Sequence, residues 1–551
     1  MHLLHVMSYQ SDTPSQVDRE TRRRVWGFAR PYRRMVAGFL IVVTLSSLLG
    51  VVPPLLFREI IDKAIVVGDR DRLTVLGLLV VAAALAQAVL SFVERWASST
   101  VGEGLIFDLR VALFDHVQRL PLSFFTLTQT GALVSRLNND VIGAQRALTG
   151  TLGTVVANGI TAVTTLVTLF LLEWRITLLA MVLLPLFILP ARRVGRTVAG
   201  ITREGMNLNA SMNATMTERF NVSGAQLVKL FGRPDEETEG FQERAGRVRD
   251  IGIRGALFSR AFVIALTLLG AVGTAVVYWV GGSLAINETI TIGTLASMGV
   301  LVALLYGPLT QLTNARVDVM SAFVSFERVF EVLDAPNPVA DAPDARALPT
   351  ADGHMVFSKV SFRYPTVDET SVASLETDAA PGKPGHTVLH EVDLEVRPGQ
   401  MLAIVGPSGS GKSTLASLVP RLYDVTEGSI TLDGHDIRSV RQDDLRARIG
   451  VVTQDPHLFH DTVGANLRYA RPDATDTELD EACRASRILD VVQRLPDGYD
   501  TVVGERGHRM SGGEKQRLAI ARLLLKDPLS LIHISEPTRP RLISYAVFCL
   551  K

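Results

Sequence analysis

The stretch "MLAIVGPSGSGKSTLASLVPRL", residues 401 to 422, decides the fold of the C-terminal part of the chain. It contains the pattern G-x-x-x-x-G-K-[ST] at Gly406 to Ser413, between the apolar run Met401 to Val405 and a helix-forming segment. A strand, a glycine-rich loop and a helix in this order are typical of a P-loop, whose backbone N–H groups face a phosphate. The pattern predicts an α/β NTPase domain in which Lys412 contacts the β and γ phosphates and the Ser413 hydroxyl binds Mg²⁺.

The composition of the whole chain points to a second, membrane-bound part. Of 551 residues, 47% are hydrophobic and 20% charged, which is too apolar for a wholly soluble protein of this length. The two cysteines lie far apart and predict neither a metal site nor a disulfide framework. The net charge of zero argues neither for nor against a polyanionic partner. We expect no nucleic acid partner. The first residues lack the pattern of a signal peptide.

Six apolar stretches before residue 320 are long enough to cross a bilayer, which takes about 20 helical residues. They lie at Met35 to Phe57, Leu73 to Val93, Leu152 to Leu172, Ile176 to Ala191, Ala261 to Leu284 and Ile292 to Leu312. The fourth is short and carries two prolines, but it follows the third through only "EWR", so the pair predicts a transmembrane hairpin. Any one stretch fits a buried helix of a soluble protein, whereas six together do not.

The basic residues predict the orientation of these spans. The leader "DRETRRRVWGFARPYRRM" carries seven arginines directly before the first span, so we expect the N-terminus and the NTPase domain in the cytoplasm. Spans two and three, and spans four and five, are separated by polar, helix-forming segments of roughly 55 and 65 residues, too long for turns. We expect these segments to be helices that continue out of the membrane. The protein is therefore predicted to be multi-pass in the cytoplasmic (inner) membrane.

Changes in composition predict the domain boundaries. We expect an N-terminal tail at 1–20, a six-helix transmembrane domain at 21–333, a linker at 334–353 and the NTPase domain at 354–528. The linker contains "APNPVADAPDARALPTADG", which is rich in Pro, Ala and Asp and is predicted to bury no face. A low-complexity insert at 366–386 interrupts the NTPase domain, and we expect a mobile surface loop without chemistry.

Three further motifs narrow the type of NTPase. "VVTQDPHLF" places Gln454 after a short apolar run, "MSGGEKQR" opens a helix at Ser511, and "FRYP" places Tyr364 at the end of a strand. Each has an ordinary alternative. Gln454 fits a solvated polar residue, the Ser-Gly-Gly triplet fits a simple helix start, and Tyr364 fits a ring packed in a core.

Together, in this order and spacing, the motifs resemble the nucleotide-binding domain of an ATP-binding-cassette (ABC) transporter, and six spans before that domain resemble the half-transporters of bacterial exporters. The resemblance implies that Tyr364 stacks on adenine, that Gln454 lies near Mg²⁺ and the attacking water, and that Ser511, Gly512 and Gly513 form the signature over ATP bound to the opposite subunit. The resemblance identifies the Walker A loop as Gly406, Pro407, Ser408, Gly409, Ser410, Gly411, Lys412, Ser413 and Thr414.

The same resemblance assigns three parts that connect the two domains. "TVVGERG", with Glu505, is similar to the exporter loop that contacts the partner's cytoplasmic helices. Two cytoplasmic loops are similar to those that carry short coupling helices, which we expect near Phe124 to Gly131 and Asn221 to Leu230. These helices are expected to transmit motion from the ATPase to the spans.

The chain departs from the family pattern in two places. Met510 stands where the signature usually has leucine, and its apolar role can persist. After "KDP" the family has an apolar strand ending in Asp-Glu and a distal histidine, whereas this chain has "LSLIHISEPTRP". We expect His533 to break the strand, and Ser535 lacks the charge of the missing aspartate. The stretch also resembles translated sequencing-adapter read-through, so residues 529–551 are predicted to be a non-native tail of a truncated domain that does not hydrolyse ATP.

The sequence therefore predicts a membrane all-α six-helix transmembrane domain followed by an α/β P-loop NTPase (ABC) domain, incomplete at its C-terminus. We expect ATP-driven export of a lipophilic or amphipathic substrate, a drug or a lipid, by a dimer of half-transporters that lie in membrane lipid and use ATP and Mg²⁺. The partner is a second copy or a related half-transporter. Two alternatives stay open: an ATP-gated membrane regulator or channel, and a catalytically degenerate subunit of a heterodimeric exporter. A soluble DNA-repair-type ATPase is excluded by the six spans.

Polar residues on the predicted spans have two interpretations. They are Gln87, Asn158, Thr164 and Thr168, on an otherwise apolar wall. They fit either contacts with a transported substrate or hydrogen bonds between helices. Ionisable groups, which an ion pathway usually needs, are almost absent from the middle of the spans, and this weakly disfavours a channel.

Overall fold

The structure is a computed structural model, and it describes residues 19–145, 152–182, 184–232, 234–349, 352–366, 369, 372, 375, 385–407, 409–504, 510–535 and 544–550. The chain forms two compact units. The helical unit comprises the residues up to Val111 together with Asn138–Val329, and the sheet unit comprises Ala112–Leu137 together with the residues from Phe330 onward. The sheet unit thus takes in a stretch that the sequence boundaries assign to the transmembrane domain.

Helices make up most of the described residues up to Leu333. In chain order they are α1 Arg19–Ala29, α2 Arg33–Gly50, α3 Val52–Glu59, α4 Arg70–Arg119, α5 Leu122–Leu127, α6 Thr130–Ser135, α7 Val141–Gln145, α8 Leu152–Leu172, α9 Trp174–Val182, α10 Leu184–Phe220, α11 Val222–Phe231, α12 Pro234–Ile286 and α13 Ile292–Leu333. Four of them, α4, α10, α12 and α13, have 50, 37, 53 and 42 residues. Since about 20 residues cross a bilayer, these helices are long enough to continue beyond it, as predicted.

Among the described residues, five helical segments are long and apolar enough to cross a membrane. They are Arg30–Ile65, Arg70–Arg119, Gly153–Leu172, Pro234–Ile286 and Ile292–Leu309, and they match five of the six predicted spans. The predicted fourth span coincides with α9 and the start of α10. Residue 183, between these two helices, lies outside the described residues.

Most of the hydrogen bonds made by the polar side chains of the spans go to backbone carbonyls of the same helix. The Gln87 side chain donates to Ser46 Oγ on α2 at 2.6 Å, which is an interhelical hydrogen bond. Asn158 donates to the Thr154 carbonyl at 2.7 Å, and Thr168 to the Thr164 carbonyl at 2.8 Å, both four residues back. The helix-to-helix interpretation is therefore confirmed for Gln87 alone. The other two bonds satisfy polar groups locally in an apolar wall.

The sheet unit carries the strands. They are β1 Met355–Arg363, β2 Thr387–Val396, β3 Met401–Gly406, β4 Glu427–Leu432, β5 His435–Asp436, β6 Ile449–Val452, β7 Ser530–Ser535 and β8 Ser544–Leu550. The helices between them are α14 Lys412–Leu418, α15 Gln442–Arg448, α16 Val463–Arg468, α17 Asp476–Ala485, α18 Leu489–Arg494 and α19 Gly512–Lys526.

Two four-stranded sheets cover the core of this unit, in the orders β2-β1-β4-β5 and β3-β8-β7-β6. The first is antiparallel throughout. In the second, β6 and β7 are parallel, and β8 lies antiparallel between β3 and β7. Apolar side chains of both sheets and of α14 share one buried cluster. This cluster places the C-terminal end of β3 and the start of α14 together, where the predicted phosphate loop lies.

The prediction that His533 interrupts the last strand is wrong. Residues Ser530–Ser535 form β7, and His533 is in register with Val452 of β6 and Val547 of β8. The neighbouring Ile532 is fully buried. A strand with partners on both sides has its backbone hydrogen bonds satisfied by those partners, so one polar residue does not end it.

The segment predicted as a linker is packed against the sheet unit. Its Ala335, Val339 and Leu348 side chains are buried. Arg421 is also buried and donates to Asp341 Oδ1 at 3.5 Å and to the Ala340 carbonyl at 3.3 Å. The expectation that this segment buries no face is wrong, because scattered apolar residues can use pockets of a neighbouring domain without forming a face of their own.

The described residues of the 366–386 insert are anchored as well. Glu369 accepts two hydrogen bonds from the Arg363 guanidinium, at 2.9 and 2.6 Å, while Val372 and Leu375 are buried. The Arg363 guanidinium and the Thr366 backbone N–H hold the pKa of Glu369 at about 2. These residues contradict the expectation of a wholly mobile loop. The remainder of the insert, including 376–384, lies outside the described residues.

Candidate nucleotide site

The phosphate loop connects β3 to α14 as the sequence predicts. Gly409 and Gly411 have φ angles of +82° and +87°, a region that side chains disfavour. A Cβ atom on Gly411 would lie 2.8 Å from Leu389 Cδ2, so the loop closes only with glycine there. The requirement for glycine is steric, because the loop turns tightly and ends on the first turn of α14. Ser408 lies outside the described residues.

Lys412 reaches back into this loop. Its side chain is buried, and its Nζ donates to the Gly406 carbonyl at 3.0 Å, the Pro407 carbonyl at 2.7 Å and Ser410 Oγ at 3.3 Å. An ammonium group enclosed by backbone oxygens in a turn is positioned for an anion that enters the same turn. The donor set and the glycine geometry therefore fit the phosphates of a nucleotide.

The two hydroxyl residues after Lys412 have different surroundings. Ser413 is exposed at the start of α14, whereas Thr414 is buried. The Thr414 hydroxyl is 2.9 Å from the Tyr364 hydroxyl. The structure thus joins the predicted adenine-stacking residue directly to the phosphate-loop helix.

Tyr364 is half-buried in a group of three aromatic rings. Its ring centroid lies 5.0 Å from that of Phe362 and 5.5 Å from that of Tyr423, both in edge-on geometry. The interpretation of a ring packed in a core is confirmed, and the Tyr364 hydroxyl meets the phosphate-loop helix. Stacking of Tyr364 on adenine stays a prediction. Tyr423 was missed by sequence reasoning, since it lies 59 positions after Tyr364 in "RLYD" without a local signal.

Tyr423 also contacts the first predicted coupling segment. Its hydroxyl interacts with the side chain of Thr126 on α5, and burial raises the pKa of the Tyr423 phenol. The same segment is held by Phe124, which is fully buried, and by Gln129, whose backbone N–H donates to the Leu375 carbonyl at 2.9 Å. The predicted helix from Phe124 to Gly131 is in fact two short helices, α5 and α6, because Thr128 and Gln129 are extended.

Gln454 lies just after β6, with its side chain exposed. Its backbone carbonyl accepts a hydrogen bond from Gln516 Nε2 on α19 at 3.2 Å. Its amide is thus free to face solvent while its main chain is fixed to the helix that begins with the signature. This geometry fits a group that reaches toward a ligand, and it fits equally the solvated polar residue considered above.

The signature residues begin α19 through a capping box. Ser511 Oγ accepts from the Glu514 backbone N–H at 3.3 Å, and Glu514 Oε2 accepts from the Ser511 N–H at 2.7 Å. Helix geometry leaves the N–H groups of Gly512 and Gly513 without partners inside the helix, as an anion site requires. Met510 is buried in the neighbouring apolar cluster, so it keeps the apolar role expected of leucine. Glu505 lies outside the described residues.

A buried polar network behind the signature helix escaped sequence reasoning. Arg522 on α19 donates to the Asn466 carbonyl at 2.9 Å and to Asn466 Oδ1 at 3.0 Å, and burial lowers its pKa. Asn466 is buried and holds the backbone N–H and carbonyl of Phe459 at 2.9 and 3.0 Å. The network fixes α19 to the chain that follows Gln454. In the sequence, the one signal for this network is the position of Arg522 on the apolar side of a helix.

Ser413 and Gln454 are the described residues predicted to contact Mg²⁺. Within the described residues, no group of three or more His, Cys, Asp or Glu side chains could hold a metal ion by itself. Mg²⁺ in nucleotide sites is bound mainly by phosphate oxygens, water and one or two protein ligands, so a hydroxyl and an amide are compatible with it. Ser535 ends β7, and the prediction that it stands at the position of the metal-holding aspartate rests on the resemblance alone. Glu536 lies outside the described residues.

The second predicted coupling helix is present as α11. Asn221 caps it, since its Oδ1 accepts from the Gly224 N–H at 2.7 Å. Apolar side chains on and beside α11 are exposed, with Phe220, Val222, Leu227, Leu230 and Phe231 between 62% and 86% accessible. An apolar group of this size on an exposed helix marks an interaction surface.

Comparison with known proteins covers both halves of the chain. The model of the ABC transporter transmembrane region matches residues 36–309, and the ABC transporter model matches residues 389–539, beyond the predicted boundary at 528. The chain is 31% identical to an ATP-dependent lipid A-core flippase of Desulfotalea psychrophila over 517 residues, 94% of this chain and 86% of the flippase. It is 30% identical over 516 residues to YgaD of Bacillus subtilis, whose name proposes multidrug export, covering 93% and 86%.

A solved structure shows the same architecture. It is a bacterial Atm1-family ABC exporter with ATP bound, and it superposes with a TM-score of 0.72 at 28% identity. The alignment covers 91% of this chain and 85% of that exporter. Helical spans followed by a sheet-containing nucleotide domain are therefore shared across the length of the alignment.

Proposed function

The chain belongs to the ABC transporter family of half-transporter exporters, and from this premise we propose that it uses ATP to export a lipophilic or amphipathic compound, a drug or a lipid. The relatives named above are a lipid A-core flippase and a protein named for multidrug export, and lipids and many drugs are amphipathic or lipophilic molecules. The apolar composition of the spans supports the same substrate class.

One observation carries this proposal: a single chain holds both membrane-spanning helices and a phosphate loop with Lys412 enclosed in binding geometry. ATP would be held by the phosphate loop, with Tyr364 beside the adenine. Mg²⁺ would neutralise charge on the phosphates when bound. Ser413 and Gln454 are the residues of this chain that would contact it. The signature at Ser511, Gly512 and Gly513 would contact ATP bound to a second chain.

We propose that the working unit is a dimer, either of this chain or with a related half-transporter. The exposed apolar side chains around α11 support it, because a second chain would cover them. We also propose that the protein lies in the cytoplasmic membrane with its N-terminus and nucleotide domain in the cytoplasm, as the seven leader arginines indicate. In this arrangement the cassettes close on ATP, and α5, α6 and α11 transmit that closure to the spans.

The test is transport by the reconstituted chain. Proteoliposomes that contain a fluorescent phospholipid or a lipophilic dye should show movement of the probe only with hydrolysable ATP, and the Lys412→Ala variant should show none. Lys359, exposed on β1, gives a matched control, since Lys359→Ala removes the same charge elsewhere in the same unit. Movement without nucleotide would contradict the proposal, and ATP-gated single-channel currents would establish the channel alternative.

A second candidate function is a catalytically degenerate subunit of a heterodimeric exporter. Ser535 favours it, because a serine at the end of β7 cannot supply the negative charge of the metal-holding aspartate. In that case the chain would bind ATP and support transport only when paired with a half-transporter that carries both carboxylates. Co-expression with such a partner, followed by the same transport assay, separates this function from a homodimeric exporter.

A further inference from the structure

We propose that the arginines at the start of the first span form a binding site for the headgroup of an anionic phospholipid. The site is an open cavity of about 520 Å³ lined by Gly27, Arg30, Pro31, Arg33 and Arg34. It concerns a lipid of the surrounding bilayer and goes beyond the exported substrate of the proposed function. The reasons are the charge of the cavity, its fixed geometry and the apolar surface that continues from it.

The charge of the cavity is positive and unbalanced. Arg30, Arg33 and Arg34 are exposed, and the residues that the structure describes provide none of the three with a hydrogen bond or ion pair. The described residues that line the cavity include no acidic side chain. Guanidinium groups bind phosphate oxygens through paired N–H donors, so three of them around one cavity are suited to a phosphate.

The cavity is held in place by a contact to α4. Tyr32 lies between Arg30 and Arg33, and its hydroxyl donates to Asp108 Oδ2 at 2.8 Å. Gly104 allows the approach, since a Cβ atom there would lie 2.5 Å from the Tyr32 hydroxyl oxygen. The turn from α1 into α2 is therefore fixed to a neighbouring helix. Fixing the turn reduces the entropy that the arginines lose when they bind a ligand.

An apolar stripe continues from the cavity along α2. Arg34, Ile41, Leu45 and Leu48 follow helical spacing on one face, and the three apolar side chains are 60%, 49% and 47% exposed. From Arg34 to Leu48 the helix rises about 21 Å at 1.5 Å per residue. One leaflet of hydrocarbon is about 15 Å deep. A headgroup at Arg34 would thus place its acyl chains along these side chains.

The apolar stripe beside the arginines favours a phospholipid over a free anion as the ligand of the cavity. A soluble phosphate would use the arginines alone, and Ile41 and Leu45 would gain nothing from its binding. A phospholipid uses both the charge and the apolar stripe. Trp26, which is 65% exposed on α1 next to Gly27, is also a residue type that favours the headgroup region of a bilayer.

The experiment uses Trp26 as the reporter in the whole chain. The chain has four tryptophans, and Trp96→Phe/Trp174→Phe/Trp279→Phe leaves Trp26 alone. The detergent-solubilised protein is titrated with brominated phosphatidylglycerol or brominated phosphatidylcholine, and quenching of Trp26 fluorescence is recorded without nucleotide. We expect the anionic lipid to quench at a lower mole fraction than the zwitterionic lipid. Equal quenching by the two lipids would overturn the proposal.

Matched variants assign the preference to the cavity. Arg33→Gln/Arg34→Gln should reduce the preference for the anionic lipid by about fivefold for each arginine removed. Arg70→Gln/Arg72→Gln removes the same charge from two exposed arginines at the start of α4 and should leave the preference unchanged. An equal loss in both variants would show a general charge effect and overturn the site.

Two further measurements exclude misfolding and free phosphate. Arg33→Lys/Arg34→Lys keeps the charge but not the paired donors, so it should fold and still lose part of the preference; no loss would contradict the role of the guanidinium groups. Inorganic phosphate at up to about 50 mM should not relieve quenching by the anionic lipid, because free phosphate competes for the arginines but not for the apolar stripe of α2. Displacement by phosphate would mean an anion site without lipid. None of these readouts requires transport, so they stand apart from the test of export.

Discussion

The ring of Tyr423 lies edge-on to the ring of Tyr364 at 5.5 Å, and its hydroxyl interacts with Thr126 on α5. Tyr364 in turn meets Thr414 of the phosphate-loop helix at 2.9 Å. Three side chains thus connect α5 to the expected position of adenine within the sheet unit. This connection is local, and each of its contacts can be removed separately.

Tyr423→Ala should weaken nucleotide binding, because Tyr364 loses the ring that holds it. Aromatic pairs contribute about 0.5 to 1.5 kcal/mol beyond burial, so we expect a loss of about two- to tenfold in affinity for a fluorescent ATP analogue. Tyr423→Phe keeps the ring and should bind normally. Tyr469→Ala, which removes an exposed tyrosine of the same unit, is the control. Normal affinity in Tyr423→Ala would show that Tyr364 does not depend on Tyr423.

Lys412→Ala should abolish tight nucleotide binding. A hydrogen bond to a charged group contributes about 2 to 3 kcal/mol, which corresponds to roughly 30- to 150-fold in affinity. Equilibrium titration with labelled ATP measures it, and Lys359→Ala should bind like the unaltered chain. Comparable affinities in the two variants would remove Lys412 from the assigned role.

The chain as it stands should bind ATP without measurable turnover, because Ser535 replaces the metal-holding aspartate. Ser535→Asp should therefore make ATP binding more dependent on Mg²⁺, since it places a carboxylate at the end of β7. Ser358→Asp, at an exposed position of β1 in the same unit, is the positional control. Steady phosphate release by the unaltered chain, abolished by Glu536→Gln, would show instead that the last residues are a working catalytic segment.

Glu369 should stabilise the fold in a pH-dependent way. Arg363 and the Thr366 N–H hold the folded-state pKa of Glu369 at about 2, below the usual 4.5, so the stabilisation is complete above pH 4.5 and is lost as the pH falls toward 2. Both partners are partly exposed, so the effect should stay below about 1 kcal/mol. The difference in Tm between the protein and Glu369→Gln should be constant from pH 7 to 5.5 and smaller at pH 4. A difference in Tm that does not shrink between pH 5.5 and pH 4 would contradict the role of the Arg363–Glu369 pair.

The exposed apolar side chains of α11 should be needed for dimer formation. Leu227→Gln/Leu230→Gln keeps the helix but removes two of these side chains, so the dimer fraction in cross-linking or mass photometry should fall. Lys229→Gln, on the same helix, should leave it unchanged. A dimer that is insensitive to the leucine changes would place the subunit contact elsewhere.

Local patterns predicted the phosphate loop, the capped helix at Ser511 and most spans, since each depends on residues close in sequence. The contact of Thr126 with Tyr423 joins positions about 300 residues apart, and such pairing leaves no local signal. The prediction that His533 breaks the last strand failed for the same reason. The strand β7 is stabilised by β6 and β8, and the sequence of β7 alone does not show that these partners exist. The composition of the linker predicted a segment that buries no face, whereas in the folded domain its Val339 and Leu348 side chains are buried.

The antiparallel position of β8 also has a consequence for the order of folding. β3 carries the phosphate loop, yet its hydrogen-bonded neighbour in the sheet is β8, roughly 140 residues later in the chain. During synthesis, β3 leaves the ribosome long before that neighbour exists, while the antiparallel sheet of β1, β2 and β4 can already assemble. The phosphate loop is therefore among the last parts to be fixed, and a nucleotide that binds only the finished loop would favour completion of this sheet.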